Sequence, residues 1–197
     1  MASGRQRSRQ FTSTNSGVLK SRGVTGLDVT VRLEGSTLHL RGEESGQVAI
    51  PASSVDLIRQ FRMEAVQSLH APTPEMWETK IWWDGVSRPV LLMPIENQPA
   101  YRDIIADFAG QVAAAHGLKR LRIGPGYLTA IVNLLLVGIP TLFLFAFVFW
   151  VALTDGGWWW LAAAVIFMAF SWLAGRNLVS RWPRSVRSLD QFVAELR

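Results

Sequence analysis

The sequence predicts an α+β membrane protein. An N-terminal antiparallel β-sandwich or partly open barrel, closed by one amphipathic helix, precedes a two-helix transmembrane hairpin. Three observations predict this. From Tyr127 to Gly175 the chain is almost wholly apolar, broken only at Thr154, Asp155, Gly156 and Gly157. Each half is near or above the roughly 20 apolar residues that cross a bilayer as a helix. Between Val24 and Met93 apolar residues recur with period two, and from Tyr101 to Ala115 with the period of a helix.

Residues 1–23 are rich in Ser, Thr, Arg, Gln and Gly and have almost no large apolar side chains. Such a stretch buries too little surface to offset its ordering entropy, so a disordered basic tail is expected. It has no apolar core of a secretory signal, and Ala2 stands where N-myristoylation needs glycine.

The soluble domain is expected over 24–117. Leu27, Val29, Val31 and Leu33 alternate with Asp28, Thr30 and Arg32, giving a strand with one buried face. Glu34-Gly35-Ser36 turns the chain into a second strand carrying Leu38 and Leu40. Val48 and Ile50 mark a third, stopped by Pro51, which has no N–H to donate. After the bridge Ala52-Ser53-Ser54, Val55 to Met63 reads as a further strand, and a short one is expected around Val66 to Leu69. Trp77 to Trp83 and Arg88 to Met93 flank Asp84-Gly85, a dipeptide suited to the positive φ angles of a tight turn. Asn97 and Pro99 announce a helix with Tyr101, Ile104, Ile105, Phe108, Val112 and Ala115 on one face and Gly117 as its C-cap.

Six or seven short strands closed by one helix resemble the bacterial version of the pleckstrin-homology-like (PH-like) domain. The resemblance rests on the strand, bridge and strand Val48-Ala49-Ile50-Pro51-Ala52-Ser53-Ser54-Val55-Asp56-Leu57-Ile58 and on the aromatic hairpin leading into Tyr101 to Val112. It implies a partly open β-sandwich with a helix plugging one end, acting as a binding or scaffolding module. Phosphoinositide-binding relatives carry Lys and Arg in the first hairpin loop, whereas this loop reads Leu33-Glu34-Gly35-Ser36. Glu34 would repel a phosphate, so inositol-lipid recognition is not expected. The candidate partner-binding residues are Trp77, Trp82 and Trp83. Alternation turns Trp82 away from Trp83, so one of that pair points outward; the plainer reading puts all three in the core.

Residues 118–126, containing Gly124-Pro125-Gly126, read as a linker. The first membrane helix is expected over 127–153, an external turn over 154–157 and the second helix over 158–175. Lys119, Arg120 and Arg122 precede the first helix, and Arg176, Arg181, Arg184 and Arg187 follow the second, while the turn has no basic residue. Positive charge favours the cytoplasmic side, so a two-pass protein of the inner or plasma membrane with both termini cytoplasmic is expected. Trp150, Trp158, Trp159 and Trp160 would form the outer aromatic belt, with Tyr127 and Trp182 at the inner interface. Asn133 is the one strongly polar side chain of the hairpin, and Gly138 with Pro140 bends the first helix. These three are candidates for helix–helix contact, within the hairpin or in a homo-oligomer. In 176–197, a basic juxtamembrane stretch, Ser188-Leu189-Asp190-Gln191 forms a capping box ahead of the apolar stripe Leu189, Phe192, Val193 and Leu196. Docking on the soluble domain, lying in the headgroups and binding a partner are all open to this short helix.

The 197 residues carry a net charge of +5 and no cysteine, which excludes disulfides, thiol catalysis and thiolate metal sites. The basicity sits in the N-terminal segment and beside the membrane. Between Val24 and Ala115 acids outnumber bases by about five, so anionic headgroups at the cytoplasmic face are the expected partner and nucleic acid is not. His39, His70 and His116 lack metal-ligand spacing, and no phosphate-binding loop or nucleophile motif occurs, so neither cofactor nor enzymatic activity is expected. The composition points to a non-enzymatic membrane protein whose cytoplasmic domain binds or scaffolds an unknown protein partner. The alternative is an oligomeric membrane pore or transport-accessory subunit.

Overall fold

The computed structural model describes residues 9–63, 75–155, 162, 165–169, 171–172, 176 and 182–197, without the side chains at 133, 137, 152 and 155. The strands are β1 (Gln10–Thr14), β2 (Asp28–Glu34), β3 (Thr37–Gly42), β4 (Gln47–Pro51), β5 (Val55–Met63), β6 (Met76–Trp83), β7 (Val90–Leu92), β8 (Pro94–Glu96), β9 (Leu121–Ile123) and β10 (Arg184–Ser185). The helices are α1 (Gly17–Ser21), α2 (Gln98–His116), α3 (Tyr127–Asp155) and α4 (Leu189–Ala194). The chain is thus α+β. It divides into a β-rich unit, Met1–Gly124 with Arg184–Arg197, and an apolar unit, Pro125–Pro183.

The β-rich unit contains two five-stranded sheets, ordered β4-β3-β2-β1-β8 and β10-β9-β5-β6-β7. Period-two burial makes both amphipathic. Val29, Val31, Leu38, Leu40 and Ile50 of the first and Val55, Ile58, Ile81, Trp83, Val90 and Leu92 of the second join one core with Ile104, Ile105, Phe108 and Val112 of α2. The β2–β3 turn pairs Glu34 with Thr37 across Gly35 and Ser36, with Gly35 at φ 56°. Ala52–Ser54 form a single 3₁₀ turn between β4 and β5. Asp84 and Gly85 take φ 51° and 66°, and Val86 N donates to Trp83 O at 3.1 Å, so the tight turn forms where expected. Asn97 caps α2 by accepting from Ala100 N, and Gly117 ends it at φ 79°.

Several boundaries differ from the sequence expectation. Residues 10–21 are not a tail. β1 is an inner strand paired to β2 and β8, Phe11 and Leu19 are buried, and Ser13 faces the core, where its Oγ accepts from Met93 N at 2.9 Å. The local composition is polar because this strand has one wet face and hydroxyls on both. Leu27 is 78% exposed and outside β2. Asn15 Nδ2 donates to Val24 O and Gly26 O, both at 3.0 Å, and fixes 24–27 as a loop. Pro94 does not end the strands, because β8 follows and pairs with β1. The expected linker contains β9, which runs parallel to β5 with Ile58, Arg59 and Gln60 opposite Leu121, Arg122 and Ile123. After the apolar unit the chain returns as β10, antiparallel to β9, with Arg184 opposite Ile123. α4 then packs against α2 and β9 within the β-rich unit. Phe192 and Leu196 are buried, and Ser188 Oγ accepts from Gln191 N at 3.2 Å. The folded domain therefore extends beyond 24–117 at both ends and recruits the C-terminus.

In the apolar unit α3 runs 29 residues, and the most apolar stretch of Tyr127–Val151 within it has a mean hydropathy of 2.5. It is long and apolar enough to cross a bilayer, about 37 Å at 1.5 Å per residue. Leu128, Leu142, Phe143 and Trp150 are exposed along it. Of the second apolar segment, residues 162, 165–169 and 171–172 are described, and they are helical. The strand expected around 66–69, Trp158, Trp159, Trp160, Arg181 and the side chain of Asn133 lie outside the described residues.

Candidate functional site

The strand register decides the three tryptophans. Val55, Ile58, Gln60 and Arg62 on β5 and Trp77, Thr79, Ile81 and Trp83 on β6 share the inward side of the second sheet. Trp77 and Trp83 are 4% and 1% exposed. Neither presents a surface to a partner, because each is sealed by a guanidinium: Arg102 lies 4.6 Å from the Trp77 ring and Arg22 4.7 Å from that of Trp83. Trp82 alone takes the outer face, half-buried, with Arg59 5.2 Å from its ring.

That outer face has a definite pattern. Reading across the strands, Ser185, Arg122, Arg59, Lys80 and Leu91 stand in one row. One step along, Leu57 is opposite Trp82; on the other side Phe61 is opposite Glu78, and beyond them Met63 is opposite Met76. Glu78 reaches Lys80 Nζ at 2.5 Å. The face is therefore a stripe of cations bordered by apolar and aromatic groups.

The outer face of the first sheet is different. A cleft of about 720 Å³ is lined by Gln10 and Thr12 of β1, Thr30 and Arg32 of β2, His39 and Arg41 of β3, and Gln47 of β4. Asp28, Glu34, Glu43 and Glu96 stand around it. Glu34 pairs with Arg32 at 3.2 Å, and Gln47 Nε2 meets His39 Nδ1 at 3.0 Å. The cleft borders β4, an outer strand of its sheet, so an extended segment added there would place alternate side chains over hydrogen-bonding groups of both charge signs.

Between the sheets lies a polar knot. Thr79 Oγ1 donates to Gln60 Oε1 at 2.5 Å and is 2.6 Å from Tyr101 OH, which donates to Gln60 Oε1 at 3.2 Å. The three residues are fully buried, and burial pushes the Tyr101 hydroxyl up to about 12. The Tyr101 ring meets Phe11 edge-on at 5.1 Å between centroids. Nothing in this knot is open to substrate, so it reads as structural.

The expected headgroup-facing residues are spread over both units. Lys119 is exposed, whereas Arg120 is tied to Asp56 through a 2.8 Å bond to its carbonyl and a 3.6 Å ion pair. Arg122 lies on β9 in the cation row. Arg184 and Arg187 are exposed beside β10. In the apolar unit Tyr127, Trp150 and Arg176 are exposed and Trp182 half-buried. There Gly138, Thr141, Leu142 and Phe145 of α3 line a groove of about 540 Å³ with Met168, Ser171 and Trp172. A Cβ on Gly138 would meet nothing within 4 Å, and Pro140 lies inside the helix. The cation row and the cleft were both missed from sequence, because each depends on strand register. No protein-family model matches the chain, and no curated protein matches it in sequence.

Proposed function

We propose that this is a non-enzymatic, membrane-anchored binding or scaffolding protein. Its cytoplasmic β-domain, similar to the PH-like superfamily, engages an extended segment of a protein partner at the cleft beside β4. The observation that carries the anchored reading is the pairing of Ile123 with Arg184. These residues precede and follow the apolar unit, yet they are neighbours in one ladder. A chain that leaves and returns to one point crosses a bilayer an even number of times. One span over Tyr127–Val151 then calls for a second crossing before Pro183, which supports the two-helix hairpin with both termini on one side. The basic residues around β9 and β10 favour the cytoplasm for that side.

The chain has no cysteine, so single introduced thiols report sidedness cleanly. An impermeant maleimide on sealed cells should label Thr154→Cys and spare Arg197→Cys, with the pattern reversed in inverted vesicles. Labelling of both positions from one side ends the hairpin reading. A photo-crosslinker at Gln47 should capture a partner protein in native membranes that one at Lys119 does not; equal capture at both removes the cleft.

A second reading, self-association into a pore or transport-accessory subunit, is favoured by the open side of Gly138 and by Thr141 and Ser171 in its groove. Crosslinking through Leu142→Cys in native membranes separates the two, since a single-copy species leaves no room for a pore.

A further inference from the structure

We propose that β4 accepts, as a sixth strand of the five-stranded first sheet, an extended segment of another protein in which Lys or Arg alternates with small apolar residues. This inference rests on the reading that a partner segment binds the cleft beside β4, and it names the chemistry of that segment. The backbone of β4 decides the geometry. In an antiparallel ladder, residues whose N–H and C=O both reach the neighbouring strand alternate with residues whose groups point away from it. Gly42 N donates to Gly46 O at 3.0 Å and Ala52 N to Ser36 O at 2.8 Å, just beyond the two ends of the β3–β4 register. Val48 and Ile50 therefore bond to β3, while the N–H and C=O of Gln47 and Ala49 project from the border of the sheet. Among the described residues β4 has no strand on that side. An added strand can bond there, and the side chains it sets opposite Gln47 and Ala49 fall on the outer face of the sheet, over the cleft. Side chains between those fall on the other face, beside the half-buried Val48, where small apolar groups fit.

Charge selects the occupant. The cleft is lined by four carboxylates, Asp28, Glu34, Glu43 and Glu96, against two guanidiniums, Arg32 and Arg41. Glu34 is paired with Arg32 at 3.2 Å. Asp28 and Glu43 are direct neighbours across β2 and β3, where Glu43 N donates to Asp28 O at 3.1 Å. Neither carboxylate has an ion-pair partner among the described residues, and nor has Arg41. Like charges set opposite one another weaken a sheet, so a cation brought between Asp28 and Glu43 would relieve a repulsion that the free domain carries. An added strand would lie two spacings of about 4.8 Å from β3, a gap for long side chains rather than short ones. Ala49, exposed and short, does not obstruct that reach. A second copy of this chain fits poorly. Laid antiparallel about Ala49, one β4 would set its Gln47 against Pro51 of the other, which has no N–H, and two acid-rich faces would meet.

The full chain in detergent micelles is offered three short fluorescent peptides. All have valine at alternate positions, with Lys, Gln or Glu between, and a diazirine on the central valine. Photolysis with mass spectrometry reads where each peptide lies, and anisotropy reads how tightly it binds. The Lys peptide should crosslink within Gln47–Pro51 and bind about tenfold more tightly than the Glu peptide, since each exposed ion pair contributes up to about fivefold. N-methylating one Lys amide that would face β4 keeps the charge and should weaken binding about fivefold, for one lost backbone hydrogen bond. Glu43→Gln should weaken binding of the Lys peptide about threefold and Arg41→Gln should strengthen it by a similar factor; both side chains are exposed and outside the core. Capture of the Gln or Glu peptide within Gln47–Pro51 as strongly as the Lys peptide, or an Arg41→Gln variant that binds the Lys peptide less well, overturns the cationic assignment while the cleft reading stands. Crosslinking of none of the three to this region removes both. A Lys peptide that binds equally after N-methylation is held by charge alone and overturns the added strand. Dimers of the chain that all three peptides disperse alike assign this border to a second copy, and overturn it too.

Discussion

All five strands of the first sheet precede Asn97, whereas the second sheet takes β9 from just before the apolar unit and β10 from just after it. Their outer faces diverge in the same sense. One is a polar cleft surrounded by carboxylates, the other a cation row bordered by Trp82 and aliphatic groups. The pair of sheets thus shares a core but not a dependence. The first is complete without the apolar segment, and the second is completed by chain lying beyond it.

The comparison can be broken most strongly at the packing that closes each sheet. Phe192→Ala removes a fully buried ring that pins α4 and the return of the chain, and should cost about 3–5 kcal/mol. Hydrogen exchange should quicken at 121–123 before it quickens at 29–42. Gly42→Ala should do the converse at similar cost, about 3–5 kcal/mol. Its Cβ would fall 2.3 Å from Ser45 O and 2.4 Å from Thr25 O, in the corner of the first sheet. If both variants loosen both sheets together, the proposed difference in dependence is wrong.

Next in size is the joint between the sheets. The Tyr101 ring leans on Phe11 of the first sheet and its hydroxyl is held by Thr79 and Gln60 of the second. Burial raises its pKa from 10.0 to about 12. Below pH 10 both folded and unfolded chains keep the proton. From about pH 10 to 12 the unfolded chain releases it and the folded one does not, so stability falls with rising pH, by about 2–3 kcal/mol at the upper end. Melting temperatures across that range should show the fall, and Tyr101→Phe should flatten it. At neutral pH that variant should cost only about 1 kcal/mol, because Thr79 remains bonded to Gln60. Smallest is Arg41→Ala on the first sheet's exposed face, expected to change stability by less than about 0.5 kcal/mol in denaturant melts.

Much of this was legible in the sequence, and the failures have physical causes. Strands β2 to β4 announce themselves because one face is aliphatic and the other polar, and α2 because Asn97, Pro99 and Gly117 bracket its apolar stripe. β1 is silent because Ser13, facing inward, makes its core contact with a hydroxyl. Strands as short as β9 and β10 carry no period at all, and their pairing joins residues some sixty positions apart, which local reading cannot reach. The capping box gave α4, but only the burial of Phe192 gives its docking site. Alternation correctly parted Trp82 from Trp83, while the alignment of Arg59 with Arg122 needed the parallel β5–β9 register.

The Ile123–Arg184 ladder also sets an order of assembly during synthesis. A ribosome delivers the first sheet early, but the strand that completes the second emerges only after the whole apolar segment has been made. The nascent domain must therefore wait, unfinished at one border, until residues 184–185 follow.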